Sequence, residues 1–267
     1  MKQMRAYILD LGSMQSDSNL AYWGSTLATR AQPNMPHHMN TTPSYAVLID
    51  HPQAGWILYD TGMGDPNEWP RHILETVLAE QAPTMTMEYQ LHLLGLKPAD
   101  INYVIISHMH MDHIGNDRLF GDTAEFFVAK DELAFASQMV MSSKNLVDHG
   151  FFIREDVLWP RKRLHYLDRD EELFPGIEVI LLPGHTPGLV GLVVHLDSGT
   201  LIFPSDAIAD RKNYEGFPPA NLHDSLRYRQ SIRKVKDLQK KYRAQVFFSH
   251  DPVMIQQEMK KAPDYYA

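Results

Sequence analysis

The sequence predicts a mixed α/β fold whose chemistry sits at the ends of its strands. Three observations predict it. Short apolar runs alternate with stretches of helical period. Four of the later runs stop within a few residues of a histidine or an aspartate. The chain has 267 residues, 44% hydrophobic and 22% charged, enough to bury a full α/β core. No repeat, low-complexity segment or linker interrupts it, so residues 1–267 read as a single domain.

The first run, Met4–Asp10, reads as an opening strand. Tyr45–Asp50 and Trp56–Tyr59 follow, joined by His51-Pro52-Gln53-Ala54-Gly55, which is hairpin chemistry. Between these regions Ser13 to Pro43 is polar and carries three prolines. It reads as a long loop beside the active site, with Met14, Tyr22 and Trp23, together with the later pair Phe151 and Phe152, available to line an apolar acyl pocket. Helices are expected over Arg71–Glu80, Met87–Leu94 (stopped by Gly95), Lys130–Met141 and Asp224–Arg243. In the last, Tyr228, Ile232, Val235, Leu238 and Tyr242 recur at helical spacing and mark one buried face. Its basic residues read as a solvated face.

The strands that matter most are Asn102–Ile106, Ile177–Leu182, Thr200–Phe203 and Gln245–Phe248. They end close to His108, His185, Asp206 and His250. Loops that leave one edge of a sheet converge, so these four turns form an arrangement rather than a scatter.

Composition narrows the chemistry. There is no cysteine, which excludes disulfides, thiolate metal sites and a cysteine nucleophile. A metal would have to be held by nitrogen and oxygen, and the 14 histidines supply such donors. A formal net charge of -8 argues against a nucleic-acid partner. No segment approaches the roughly 18 apolar residues of a membrane span. The start, Met1 to Tyr7, lacks a leader pattern, so a cytoplasmic location is expected.

The segment His108-Met109-His110-Met111-Asp112-His113 carries the strongest signal. Alternate residues on an extended or turning segment point to one side, so His108 and His110 can grip one ion. Asp112 and His113, past the turn, can reach a second. Imidazole and carboxylate together suit zinc, with cobalt, manganese or iron as alternatives. A histidine-rich surface loop is the bland reading, and three downstream partners weigh against it. Pro183-Gly184-His185-Thr186-Pro187-Gly188 turns sharply and exposes its imidazole. Asp206 follows an apolar run, where a buried unpaired carboxylate would be costly and two cations would resolve the cost; a helix cap is its ordinary alternative. Ser249-His250-Asp251 is the last partner. Two divalent ions against two carboxylates and a hydroxide leave a positive surplus that can stabilise an oxyanion. The other histidines are given no ligand role.

Together, His-x-His-x-Asp-His, Gly-His-Thr-Pro-Gly, Asp206, the late Ser-His and the Asp60-Thr61-Gly62 turn resemble the metallo-β-lactamase superfamily. The resemblance spreads over nearly the whole chain. It implies an αββα sandwich with His108, His110 and His185 on one metal, Asp112, His113 and His250 on the other, and Asp206 bridging. Within the superfamily the chain looks most similar to the N-acyl homoserine lactonases, the quorum-quenching branch. His110 in place of glutamate is unlike the flavodiiron branch. Gly150–Asp156 and the tail Lys260–Ala267 resemble segments of the lactonases.

One position departs. Those lactonases carry a tyrosine three residues after the bridging aspartate, and here that residue is Ala209. Tyr214, five residues on, is the candidate replacement. The function implied is a two-zinc (Zn2+) hydrolase that opens a lactone with a hydroxide held between the ions, Asp112 shuttling a proton. Its partner is a small lactone, with no nucleic acid or membrane, and the chain acts as monomer or homodimer. The alternatives are another hydrolase on the same scaffold, acting on a different lactone, a thioester or a phosphodiester, and a metal-binding module without catalysis.

Overall fold

The computed structural model describes residues 3–267. Met1 and Lys2, part of the stretch read for a leader, lie outside the described residues. Two sheets face each other. The first has seven strands: β1 (Arg5–Asp17), β2 (Met39–His51), β3 (Gly55–Tyr59), β4 (Leu78–Glu80), β5 (Ile101–Ile105), β6 (Glu125–Ala129) and β7 (Leu164–Leu167), in the order β4-β1-β2-β3-β5-β6-β7. The second has five: β8 (Glu171–Phe174), β9 (Ile177–Leu181), β10 (Val190–Leu196), β11 (Gly199–Phe203) and β12 (Gln245–Val246), in the order β12-β11-β10-β9-β8. The helices are α1 (Ser18–Ala21), α2 (Arg71–Leu74), α3 (Met87–Leu93), α4 (Met111–Ile114), α5 (Lys130–Ser142), α6 (Arg154–Val157), α7 (Arg211–Glu215) and α8 (Ser225–Tyr242). None is long and apolar enough to cross a membrane.

Alternation along the strands explains the layers. In β1, Ala6 and Ile8 join the core shared with β9, β10 and β11, while Tyr7, Leu9 and Leu11 face the opposite core with Met87 and Leu91 of α3 and Ala136 and Val140 of α5. The first sheet is therefore buried on both faces. Helix α8 covers the second sheet with Tyr228, Ile232 and Val235. The Asp224 carboxylate caps α8 by accepting from the backbone N–H groups of Leu226 and Arg227. This is the αββα sandwich.

Two expectations need correction. Ser13–Pro43 is not one long loop. Strand β1 runs on through a bulge at Gly12, φ 102°, and pairs with β2 down to Asp17 opposite Met39. The polar residues there alternate with Met14 and Ser16, which are buried, so they read as strand once paired. Arg71–Glu80 is not one helix either. It stops after a turn at Leu74, and Leu78–Glu80 adds to the edge of β1. Pairing with a free strand edge outweighs local helix preference. Strands β6, β7, β8 and β10 were not anticipated, although the unbroken apolar run of β10 suits a strand with both faces covered.

The fold aims four strand ends at one edge. There the Val190 N–H donates to the Ser107 carbonyl at 2.8 Å and joins the two sheets. The tail returns to β1: Ala6 and Tyr266 exchange two backbone bonds of 2.9 Å.

Outside this edge, Arg161 and Asp117 form a buried ion pair, Nε to Oδ2 at 3.0 Å. Replacing Arg161 with alanine strands a buried carboxylate. The expected loss is about 3–5 kcal/mol of unfolding free energy, read by urea denaturation of the metal-free protein.

Candidate metal centre

Each predicted ligand sits on a short turn just beyond a strand. His108 and His110 follow β5, with Asp112 and His113 on α4. His185 lies between β9 and β10, Asp206 after β11 and His250 after β12. The structure brings all seven together. Three sets of donors each lie within 4.8 Å of one another: His108, His110 and His185; Asp112, His113 and His250; and His108, His113 and Asp206.

Asp206 stands between the two halves. Its Oδ2 lies 3.5 Å from His185 Nε2 and 3.9 Å from His108 Nε2. Its Oδ1 lies 3.0 Å from His250 Nε2 and 3.4 Å from His113 Nε2. In the first half His110 presents Nδ1, 3.1 Å from His108 Nε2 and 3.0 Å from His185 Nε2. In the second, Asp112 Oδ2 is 3.5 Å from both His113 Nε2 and His250 Nε2.

Tautomers follow from the outer partners. His113 Nδ1 bonds the Asp60 carboxylate at 2.8 Å, and His250 Nδ1 bonds the Pro43 carbonyl at 2.7 Å. With those protons committed, Nε2 of each neutral ring turns a lone pair inward. His113 Nε2 is buried and has no hydrogen-bond partner. That orphan, among nitrogen and oxygen donors only, is what a cation site requires, and the residues present fit one.

Electrostatics agree. Burial, then neighbouring imidazoles, push His108 and His110 well below the usual histidine value, so both are neutral near pH 7. Burial opposes charge on His113 and His250, but the carboxylates prevail. Asp112 and Asp206 lift His113 well above its ordinary value, and Asp206 and Asp112 lift His250 to about 9. This half of the cluster therefore draws positive charge, which a cation would supply in exchange for protons.

Asp60 was noted only as part of a family turn, and its contacts give it a larger part. Its carboxylate accepts from the Ser107 N–H and the Ser107 hydroxyl, both at 2.7 Å, as well as binding His113. Asp60 and Ser205 both adopt positive φ, 59° and 48°, and the Ser205 hydroxyl bonds Ser107. Strained backbone on both sides of the cluster marks a site that the fold over-determines.

The cluster floors a cleft. His110, Asp112, His185, Asp206 and His250 form its polar part, and Met14, Leu20, Val77, Met111 and Phe151 its apolar wall. Of the expected pocket residues, Met14 and Phe151 line it. Phe152 is buried against the His110 ring, the Tyr22 hydroxyl bonds Asp210, and Trp23 is 65% exposed. Val77 and Asn221 were not anticipated, because nothing local distinguishes them.

Tyr214 is a correction. Its hydroxyl donates to Gln239 of α8 and its ring packs on Phe248, so it does not reach the cleft. It lies on α7, packed on the side that faces α8. Ala209 does line the cleft, and none of the described lining residues is a tyrosine.

Replacing Asp60 with asparagine disturbs the tautomer and orientation of His113. Affinity for a metal ion at the Asp112, His113 and His250 set is expected to fall about 10–100-fold, measured by competition with a chromogenic chelator.

Comparison with known proteins agrees with the geometry. Residues 39–250 match the metallo-beta-lactamase superfamily. The N-acyl homoserine lactonase AiiB of Agrobacterium fabrum is 29% identical over 280 residues, covering 98% of this chain and 99% of the relative. An N-acyl homoserine lactonase of Bacillus cereus is 30% identical over 239 residues, covering 86% and 89%. Among solved structures, an N-acyl homoserine lactone hydrolase with N-hexanoyl-L-homoserine at its metal centre superposes with a TM-score of 0.82 at 23% identity, covering 100% of both chains. The dizinc quorum-quenching lactonase AidC superposes with a TM-score of 0.69 at 20% identity, covering 99% and 94%. From the fold, the seven gathered donors and the match over most of its length, the chain belongs to the metallo-β-lactamase superfamily.

Proposed function

We propose that this protein is a two-zinc hydrolase that opens the ring of N-acyl homoserine lactones. The observation that carries the reading is Asp206, with one oxygen facing each half of a seven-donor cluster on the floor of an apolar-walled cleft. The relatives named above as lactonases, aligned over most of the chain, support the substrate class.

His108, His110 and His185 would hold one ion, Asp112, His113 and His250 the other, with Asp206 between them. When bound, such ions polarise a carbonyl and make hydroxide available near neutral pH. The chain's own residues do the rest. Ser249 donates to Asp206 Oδ1 at 2.8 Å and fixes the carboxylate that stands between the two donor halves. Asp112 lines the cleft, and in this reading it takes the proton given up by the attacking water and returns it to the leaving oxygen. Met14, Leu20, Val77, Met111 and Phe151 seat the acyl chain and exclude water. Ala209 leaves the wall without a phenol there, so the carbonyl is oriented without one.

Ala209 also favours a second reading, a hydrolase for a different lactone, since the tyrosine typical of the lactonase branch is missing. A substrate panel separates the two. Zinc-loaded protein should release acid from N-acyl homoserine lactones in a pH-stat and should not act on thioesters or phosphodiesters. KM should fall from butanoyl to octanoyl chains, because each buried methylene is worth up to about 0.8 kcal/mol. Acid release only from simple γ-lactones would move the assignment to the second reading, and none from any lactone would sink both. Asp206→Ala should lose more than about 100-fold in kcat/KM along with zinc content; full metal content would count against its bridging place.

A further inference from the structure

We infer that Glu132 is a positioning residue: a single buried carboxylate ties the His108–His110 turn to the His185 turn and so sets the spacing of the three-histidine site. The inference rests on reading that cluster as a metal centre. Glu132 lies in the first turn of α5 and is wholly buried. Its Oε1 accepts the Met109 N–H at 3.0 Å, and its Oε2 accepts the Gly188 N–H at 3.2 Å. Met109 stands between His108 and His110, and Gly188 closes the loop that carries His185.

The two turns belong to different sheets. His108 and His110 leave β5 of the first sheet, and His185 sits between β9 and β10 of the second. Three ring nitrogens from both sheets must meet, at the 3.0 and 3.1 Å separations given above. A carboxylate that accepts once from each turn acts as a fixed-length strap between them.

The chemistry of the strap requires glutamate. Both oxygens face an N–H donor. A glutamine of the same shape offers one oxygen and one NH2 group, so one backbone N–H would meet another donor. Burial pushes the Glu132 carboxyl up to about 7 even with its donors, which shows how costly the group is to keep here. The seat is also closely built. A Cβ on Gly188 would lie 2.3 Å from the Glu132 backbone nitrogen and 2.7 Å from the Glu132 Cβ, so the loop rests directly on α5 and only glycine fits.

The other half of the cluster is braced differently. His113 leans on Asp60 and His250 on the Pro43 carbonyl. Loss of the strap should therefore weaken one ion and spare the other. A residue with only a general structural role would lower stability without separating the two.

The test uses the full chain with Glu132→Gln. Zinc affinities are read by chelator competition, the site geometry by the absorption of the cobalt-substituted protein, and the strap by amide hydrogen exchange. Wild-type protein should bind two zinc ions and protect the Met109 and Gly188 amides. Glu132→Gln should retain one ion at wild-type affinity, bind the other about 10–100-fold more weakly, alter the cobalt spectrum and unprotect one of the two amides. Two ions bound by the variant at wild-type affinity would overturn the inference, as would equal weakening of both. Should the variant fail to fold, exchange in the wild type still decides, since rapid exchange at Met109 and Gly188 means there is no strap. A wild-type chain that takes up no zinc would overturn the metal reading instead.

Discussion

Asp206 is a carboxylate set almost out of water, with histidine nitrogens facing each of its oxygens. Burial alone would push its proton affinity up, yet His250 and His113 hold it well below the usual carboxylate range. A buried anion of this kind persists only where positive charge is arranged around it. Much of the architecture serves that arrangement. The two facing sheets are joined here by the Val190–Ser107 backbone bond, and strands of both deliver rings to the same few ångströms. The strained backbone at Asp60 and Ser205 lies beside it.

The outer supports divide by origin. Asp60 comes from the turn after β3, Pro43 from β2 and Glu132 from α5. None contributes a donor to the three clustered sets, yet each contacts a turn or ring that does. The first fixes the tautomer of His113, the second that of His250, and the third the approach of one sheet to the other. Orientation in this site thus comes from backbone carbonyls, N–H groups and buried carboxylates, groups held rigidly by the folded chain.

The seven clustered donors were legible in the sequence because metal chemistry leaves local marks. His108 to His113 is contiguous, and His185, Asp206 and His250 each follow an apolar run. The same holds for α5 and α8, whose length or apolar spacing is plain. What could not be read depends on partners far away in the chain. Glu132 looks like any glutamate in the first turn of a helix, and only the fold sets Met109 and Gly188 against it. Leu78–Glu80 becomes a strand because β1 offers a free edge. Ser13–Asp17 becomes one because Met39–Pro43 lies opposite. Tyr214 was misplaced for the converse reason: its nearness to Ala209 in sequence says nothing about which side of α7 its ring takes.

The order of the donors along the chain also bears on biosynthesis. His108 through His113 are synthesised long before His250, with the whole second sheet still to be made. At ordinary elongation rates the interval is on the order of ten seconds. Until Asp206 and His250 arrive, the early histidines can offer only a partial, open grip. Gathering of all seven donors is therefore deferred until the second sheet has been synthesised and docked. The complete donor set is a late product of folding, because it needs turns from both sheets in place.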